Sequence, residues 1–135
     1  MKSSLALIAI AVAFLGTGVA ADPVYKNVDA AAAKALVDKA GGDKAKLTVL
    51  DVRTDEEFAA GHIAGAVQID YLGDEFAKKL AKLDRDQAYL VHCRSGGRSK
   101  GALDAMKKLG FKVVHHLDGG MQAWVAAGGE VVKKK

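Results

Sequence analysis

The residues of this chain that could carry out chemistry are concentrated in one short segment that begins at Cys93, the only cysteine among the 135 residues. Small and basic residues follow the cysteine directly: Arg94, Ser95, Gly96, Gly97, Arg98 and Ser99. Consecutive glycines let the backbone turn successive N–H groups inward, and such a concave row of amides binds anions. A thiol without a disulfide partner in its own chain is a candidate reactive sulfur, although most cysteines are inert and buried. The segment therefore predicts a nucleophilic sulfur beside an anion site.

The ionisation of this thiol decides whether it can act as a nucleophile. A free cysteine has a pKa of about 8.5, and helix N-termini or nearby arginines lower it, often by about one unit or more. We therefore expect Cys93 to be largely thiolate at neutral pH, accessible at the rim of a sheet, and to be the catalytic residue. We expect residues 94–99 to bind the substrate, with Arg94 and Arg98 attracting an anion and the loop amides stabilising a transferred sulfur.

The elements around the segment place it where ligands bind in α/β proteins. An apolar run at 87–92 predicts a buried strand that ends just before Cys93, and helical spacing predicts a helix over 99–109. Ligands bind outside the carboxyl ends of the strands in open α/β sheets. Cys93 occupies such a position by its place in the chain alone.

The rest of the chain alternates between apolar runs and helical patterns. Strands are predicted at 24–28, 47–52, 66–69, 87–92 and 111–117, and helices at 30–39, 55–60, 75–83, 99–109 and 121–127. This alternation favours parallel pairing with right-handed crossovers, and hence a single layered α/β domain.

Asp51 and Arg53 flank the predicted end of the 47–52 strand, at the same edge as Cys93. They could support the segment 93–99, called the active loop below, through hydrogen bonds. Alternatively, they could form an ion pair that stabilises the fold, with Glu57 as a further partner. We favour the ion pair, because such networks are commonly structural.

The histidines and the single tryptophan are expected to be structural. His92 points away from Cys93 if both continue one strand, so we do not expect a general base there. His115 and His116 alternate across a strand and cannot jointly chelate a metal, so no metal site is expected. His62 lies in a turn, and Trp124 either packs in the core or lines the mouth of the loop.

The first residues of the chain predict an exported protein. Residues 1–21 combine Lys2, an apolar run too short for a membrane span of roughly 20 residues, and small residues suited to signal cleavage. We expect a periplasmic or secreted domain at 22–135, not inserted in a membrane after cleavage, with a solvated basic tail at 133–135. The net charge is only +4 and shows no basic cluster for nucleic acid.

Several motifs, taken in order, resemble those of the single-domain rhodanese family. The matching stretches are LDVR at 50–53, EF at 57–58, GHIAGA at 61–66, CRSGGRS at 93–99 and LDGG at 117–120, followed by Trp124 and Gly128. The resemblance runs from about residue 24 to 131, so it covers nearly all of the expected mature chain. Cys93 corresponds to the family's catalytic cysteine, and residues 94–98 correspond to the loop whose amides cradle the sulfur.

This resemblance implies a fold and a reaction. The fold is a three-layer α/β sandwich with a five-stranded, mostly parallel sheet and helices on both faces. The reaction passes sulfur from thiosulfate or a similar donor through a Cys93 persulfide to cyanide or a thiol, which could belong to a protein, without metal or organic cofactor. Rhodanese-like phosphatases have a loop one residue longer, which disfavours phosphatase activity here. A non-turnover sulfur carrier remains the alternative, and an inactive anion-binding domain is weakened by the presence of Cys93.

Overall fold

The computed structural model describes residues 22–134, which form five strands and five helices. The strands are β1 (Val24–Val28), β2 (Thr48–Asp51), β3 (Val67–Gln68), β4 (Ala88–His92) and β5 (Val113–Leu117). The helices are α1 (Ala30–Ala40), α2 (Asp55–Ala60), α3 (Phe76–Ala81), α4 (Gly97–Leu109) and α5 (Gly120–Ala126). The predicted signal peptide at 1–21 and the last lysine lie outside the described residues.

The five strands form one sheet in the order β1-β5-β4-β2-β3, and every neighbouring pair is parallel. The predicted five-stranded α/β fold is confirmed, and the sheet is entirely parallel. β2 and β4 are buried almost throughout, as expected for strands covered on both faces. Because all strands run the same way, their carboxyl ends meet at one edge, and Cys93 follows directly on β4.

Helices cover both faces of the sheet and give the domain two hydrophobic cores. α3 and α4 pack on one face through Phe76, Leu80, Ala102 and Met106. α1 and α5 pack on the other face and contribute these residues: Ala30, Ala33, Ala40, Met121 and Trp124. Trp124 is thus a core residue, which decides between the two positions open to it from sequence. Cys93 belongs to the core on the α3–α4 face.

Local capping explains where several helices begin and end. The Asp29 carboxylate accepts the Ala32 amide at 2.8 Å and starts α1, and Gly41 ends it in the left-handed conformation. Thr54 and Glu57 form a reciprocal capping box at the start of α2. The observed bounds of β1 and α2 equal the predicted ones, and those of the other elements differ by at most two residues. The difference that concerns the site is α4, which begins at Gly97 rather than at 99.

The end of the described chain returns to the segment after α2. The amides and carbonyls of His62 and Val132 exchange two hydrogen bonds of 2.8 Å in an isolated antiparallel bridge. Lys133 and Lys134 beyond the bridge are exposed, in keeping with a solvated tail. Within residues 22–134, the helices are too short or too polar to cross a membrane.

Replacing a leucine in the core should test the packing on the α3–α4 face. Leu80 is fully buried and Leu72 is 67% exposed. We expect Leu80→Ala to lower the free energy of unfolding by about 2–5 kcal/mol, because it leaves a cavity. The matched Leu72→Ala should change it by no more than about 0.5 kcal/mol. Denaturant titration measures both, and equal losses in the two variants would contradict the packing described.

Candidate active site

The thiol of Cys93 is enclosed by its own loop. The Gly96 amide donates to Sγ at 3.1 Å, and Ser99 Oγ lies 3.3 Å from Sγ. Cys93 is 1% exposed. The expectation of an accessible thiol at the rim of the sheet is therefore wrong in this conformation, because the loop folds back over the sulfur before α4 begins.

The loop takes this shape because its carbonyls are held from the opposite side. The amides of Met121 and Gln122, in the first turn of α5, donate to the carbonyls of Cys93 and Arg94 at 2.9 and 3.1 Å. In a trans peptide the C=O and N–H groups point in opposite directions, so the amide that follows each held carbonyl faces away from α5. Gly96 completes the turn with φ of 122°, a value that side chains rarely permit.

A glycine in α5 is required for this approach. A Cβ at Gly120 would lie 2.6 Å from the carbonyl oxygen of Cys93 and 2.6 Å from the backbone of Arg94. Gly120 also has φ of 59°, in the left-handed region. Sequence reasoning matched Gly120 to a family motif without assigning it a role. The available signal was the pair of glycines at 119–120, separated by one residue from the end of β5.

The pKa of the Cys93 thiol is lowered, as predicted, and the predicted cause is confirmed in part. Burial alone would raise this pKa, and it is the largest single influence. Hydrogen bonds from Ser99, Gly96 and Ser95 to the sulfur together outweigh it and favour the thiolate. The predicted contribution of the amides at the start of α4 is therefore confirmed, whereas arginine charge is not the main cause. Donors already in contact with the sulfur stabilise its charge more than the guanidinium groups do.

The guanidinium of Arg98 is engaged by a carboxylate rather than left free for a substrate. Its two terminal nitrogens donate to the Glu57 oxygens at 2.6 and 3.0 Å. Hydrogen bonding to Arg98 lowers the pKa of Glu57 to about 2. The pKa of Arg98 is raised, first by Glu57 and to a smaller degree by the charge of Cys93. The pair ties α2 to the active loop, and substrate binding by Arg98 stays a prediction.

Arg94 lies on an open cleft of about 630 Å³ beside the loop. The cleft has charged, amide and apolar walls: Arg53, Glu57, Ala60, Arg94, Met121, Gln122, Val125 and Ala126. Ser95 and Gly97 are exposed, whereas Gly96 and Ser99 are buried. Of the predicted substrate-binding residues, Arg94, Ser95 and Gly97 can thus be reached from solvent, whereas the buried Ser99 hydroxyl contacts the Cys93 sulfur, the Gly96 carbonyl and His116.

Asp51 and Arg53 form the structural ion pair that we favoured. Arg53 donates to the Asp51 carboxylate from Nε and from a terminal nitrogen, the latter at 2.7 Å, and also to the carbonyl of Gly61. Neither side chain hydrogen-bonds to residues 93–99 in the described part of the chain. Loop support through hydrogen bonds is therefore not what they provide. The suggested partnership with Glu57 is also wrong, because Glu57 binds Arg98.

Three histidines have positions that bear on the predictions. His62 is structural, since its Nδ1 contacts the Phe58 carbonyl at 2.9 Å and its ring stacks on Phe58. His92 is buried, and its Nδ1 donates to the Cys93 carbonyl at 2.9 Å, not to the sulfur. His116 was treated only as a potential metal ligand from the sequence, yet its Nε2 lies 2.6 Å from Ser99 Oγ. No cluster of His, Cys, Asp or Glu able to hold a metal ion occurs in residues 22–134.

Comparison with protein-family models and curated proteins identifies relatives of the whole domain. The model of the rhodanese-like domain matches residues 29–127. YtwF of Bacillus subtilis, whose name describes a sulfurtransferase, is 43% identical over 67% of this chain and 84% of its own length. YrkF of the same species, named as a sulfur carrier protein, is 40% identical over 67% of this chain and 48% of its own. MoeZ of Mycobacterium tuberculosis, named as an adenylyltransferase/sulfurtransferase, is 42% identical over 58% of this chain and 20% of its own.

Solved structures share the architecture. A rhodanese-related protein from Thermoplasma volcanium superimposes with a TM-score of 0.67 and 34% identity, over 82% of this chain and all of that one. A rhodanese-like domain protein from Staphylococcus aureus gives a TM-score of 0.65 and 27% identity, over 82% of this chain and 99% of that one. The similarity therefore extends over the whole length, or nearly so, of these two solved chains.

Adding a methyl group at position 120 should disturb the active loop. Gly120→Ala brings a Cβ against the backbone of Cys93 and Arg94, whereas Gly128→Ala meets no heavy atom within 4 Å and shares only the positive φ. We expect Gly128→Ala to cost about 1 kcal/mol of stability through strain, and Gly120→Ala to cost more. Only Gly120→Ala should raise the Cys93 pKa, measured by thiolate absorbance. Unchanged Cys93 ionisation in that variant would contradict the role of α5.

The Glu57–Arg98 pair should stabilise the fold in a pH-dependent way. The folded-state pKa of Glu57, about 2, lies below its ordinary value of 4.5, so its stabilisation is complete above pH 4.5 and disappears as the pH falls toward 2. Glu57→Gln keeps the capping oxygen and removes the charge, and should lower the free energy of unfolding at pH 7 by about 1 kcal/mol.

The exposed neighbour provides the control for this variant. Glu56→Gln removes the same charge from α2, and Glu56 has no cationic partner among residues 22–134. The difference between the two variants, followed by urea unfolding from pH 7 to pH 3, should shrink as the pH falls. A difference that does not depend on pH would show that the ion pair contributes nothing.

Proposed function

Because the chain belongs to the rhodanese-like domain family, we propose that it is a sulfurtransferase that carries sulfur on Cys93. The observation that supports this most directly is the enclosure of Sγ by the Gly96 amide and the Ser99 hydroxyl, with the pKa of the thiol lowered. Groups that stabilise a thiolate also stabilise the anionic end of a persulfide in the same loop. The donor is thiosulfate or a similar anion, and the acceptor is cyanide or a thiol.

The reaction proceeds by double displacement. The Cys93 thiolate attacks the outer sulfur of thiosulfate, the bond between the two donor sulfurs breaks, and sulfite leaves with the electron pair. The product is a Cys93 persulfide anion. An acceptor nucleophile then attacks the outer sulfur, the Cys93 thiolate leaves with the electron pair of the broken S–S bond, and the enzyme is restored. No electrons enter or leave overall.

The donor approaches from the exposed side of the loop. An added Cβ at Gly96 or Gly97 would meet no heavy atom within 4 Å, so the space in front of these residues is open. Arg94 is exposed beside this space and carries a positive charge with no carboxylate partner among the described residues. A small anion can gather there, and a modest opening of the loop brings it to the sulfur, which is itself only 1% exposed.

We propose further that the domain works outside the cytoplasm, in the periplasm or as a secreted protein. The support is the sequence of residues 1–21, with its single early lysine, short apolar run and small residues. Comparison of the mass of the protein recovered from expressing cells with that of the full chain tests this. Retention of residues 1–21 in the recovered protein would contradict it.

A sulfur carrier that serves a protein partner is the second candidate. The relative named as a sulfur carrier protein, which matches 67% of this chain, favours it. A carrier needs the same loop but little turnover with small molecules. Steady-state kinetics with thiosulfate and cyanide therefore separate the two, since only the enzyme shows rapid release of thiocyanate.

Replacing the cysteine should abolish sulfur transfer while the fold is retained. We expect Cys93→Ser to lower kcat/KM with thiosulfate and cyanide by at least about 10³-fold, because a serine hydroxyl does not form the persulfide. Wild-type protein treated with thiosulfate should gain the mass of one sulfur atom on the Cys93 peptide, and Cys93→Ser should gain none. Circular dichroism checks the fold. Substantial transfer by the variant would overturn the assignment.

A further inference from the structure

The buried thiol of Cys93 needs a route for its proton. Cys93 is 1% exposed, so while the loop is closed its S–H is shielded from water. The oxygen that contacts it is Ser99 Oγ, at 3.3 Å, and Ser99 is itself fully buried at the start of α4. A serine hydroxyl does not hold a charge near neutral pH, but it can pass a proton on to a basic group.

Such a group lies directly behind Ser99. His116 Nε2 in β5 is 2.6 Å from Ser99 Oγ, and His116 Nδ1 is 2.9 Å from Asn27 Oδ1 in β1. The contacts form a continuous chain from the sulfur across α4, β5 and β1. Its far end opens to solvent, because Asn27 is exposed and a surface cleft of about 330 Å³ is lined by Asn27, His116 and Lys100.

Counting hydrogens gives this chain a direction. Asn27 Oδ1 can only accept, so His116 Nδ1 carries the hydrogen of the neutral ring and Nε2 is free to accept one. The Ser99 hydroxyl has two acceptors within reach, His116 Nε2 at 2.6 Å and the Gly96 carbonyl at 3.1 Å, and the shorter contact is the one to Nε2. When the hydroxyl donates to Nε2, its oxygen can accept from the Cys93 thiol. The neutral thiol thus has an acceptor at each step between Sγ and the imidazole.

We propose that His116, acting through the Ser99 hydroxyl, takes up the Cys93 proton when the thiol ionises. Sγ releases its proton to Ser99 Oγ while Oγ passes its own proton to Nε2, which leaves a thiolate, an unchanged hydroxyl and an imidazolium. The proton returns by the reverse path after the acceptor has removed the sulfur. The proposal rests on the sulfur-transfer function, for which it names His116 as a positioning residue.

The surroundings of His116 suit a reversible acceptor. Burial lowers its pKa, so the ring is neutral before the transfer. Asp118 at the end of β5 favours the charged ring, whereas Lys100 of α4 and His92 of β4 oppose it. Further charged groups line the outer part of the same cleft: Lys26, Asp104 and Lys107. Burial thus keeps the ring in its neutral, proton-accepting state, and Asp118 favours the charged ring that proton uptake produces.

Titration of the thiolate tests the proposal without requiring sulfur transfer. The ultraviolet absorbance of the thiolate is followed against pH in the full protein, with Cys93→Ser as the blank. His116→Gln keeps a hydrogen-bonding amide near Ser99 but cannot take a proton, and should raise the midpoint by about one unit. His115→Gln is the matched control, because His115 is directed to the opposite face of the same strand, beside Leu36 and Lys39. It should leave the midpoint unchanged.

A double-mutant cycle separates proton uptake from a structural effect. If His116 acts through the hydroxyl, His116→Gln should have no further effect on the midpoint in a Ser99→Ala background. An equal shift in both backgrounds, or no shift from His116→Gln alone, overturns the proposal. If His116→Gln shifts the thiolate midpoint but the wild-type protein transfers no sulfur, the proposed function is overturned and the proton path stands.

A reciprocal measurement avoids any dependence on the folding of the histidine variant. Nuclear magnetic resonance of the His116 ring nitrogens is recorded against pH in wild-type protein and in Cys93→Ser. Coupled groups affect each other's titration equally, so the His116 titration should change when the thiol is removed. An identical His116 titration in both proteins would also overturn the proposal.

Discussion

The active loop depends on two hydrogen bonds that it receives from behind. The first amides of α5, those of Met121 and Gln122, hold the carbonyls of Cys93 and Arg94. Because each peptide unit is planar, fixing these carbonyls directs the following amides away from α5, and the Ser95 amide is among the donors that lower the pKa of the thiol. The packing of α5 thus orients one of the donors that favour the thiolate, the Ser95 amide, while Ser99 and Gly96 supply the others.

The parallel sheet is what makes this packing possible. β4 and β5 are adjacent and in parallel register, with Val91 beside His116, so the segments that follow the two strands emerge side by side. One becomes the active loop and the other becomes the start of α5. The same register brings His116 under α4 and next to Asn27 of β1. Strand order, rather than any single side chain, therefore positions both the active loop and the row of contacts from Ser99 through His116 to Asn27.

Sequence patterns predicted the elements well because their causes are local. Apolar runs, caps and glycine stops act within a few residues, and the strands at 24–28 and 87–92 lie within one residue of their predicted bounds. The site was predicted only in part, because its decisive contacts join distant residues. Glu57 and Arg98 are 41 positions apart, and His116 and Asn27 are 89 apart. Charge alone suggested that Arg98 was free, and only the tertiary fold supplies the carboxylate that occupies it.

The bridge between His62 and Val132 gives the two ends of the domain different mechanical importance. The last residues bind beside α2, and Lys134 also donates to the carbonyl of Ala59 within that helix. Since α2 carries the carboxylate that holds Arg98, force or bulk applied at the carboxyl terminus is transmitted toward the cysteine loop. The amino end of β1 lies far from the loop, because all strands are parallel and the loop follows the carboxyl end of β4. An affinity handle or immobilising linker is therefore better attached ahead of β1 than after the lysines.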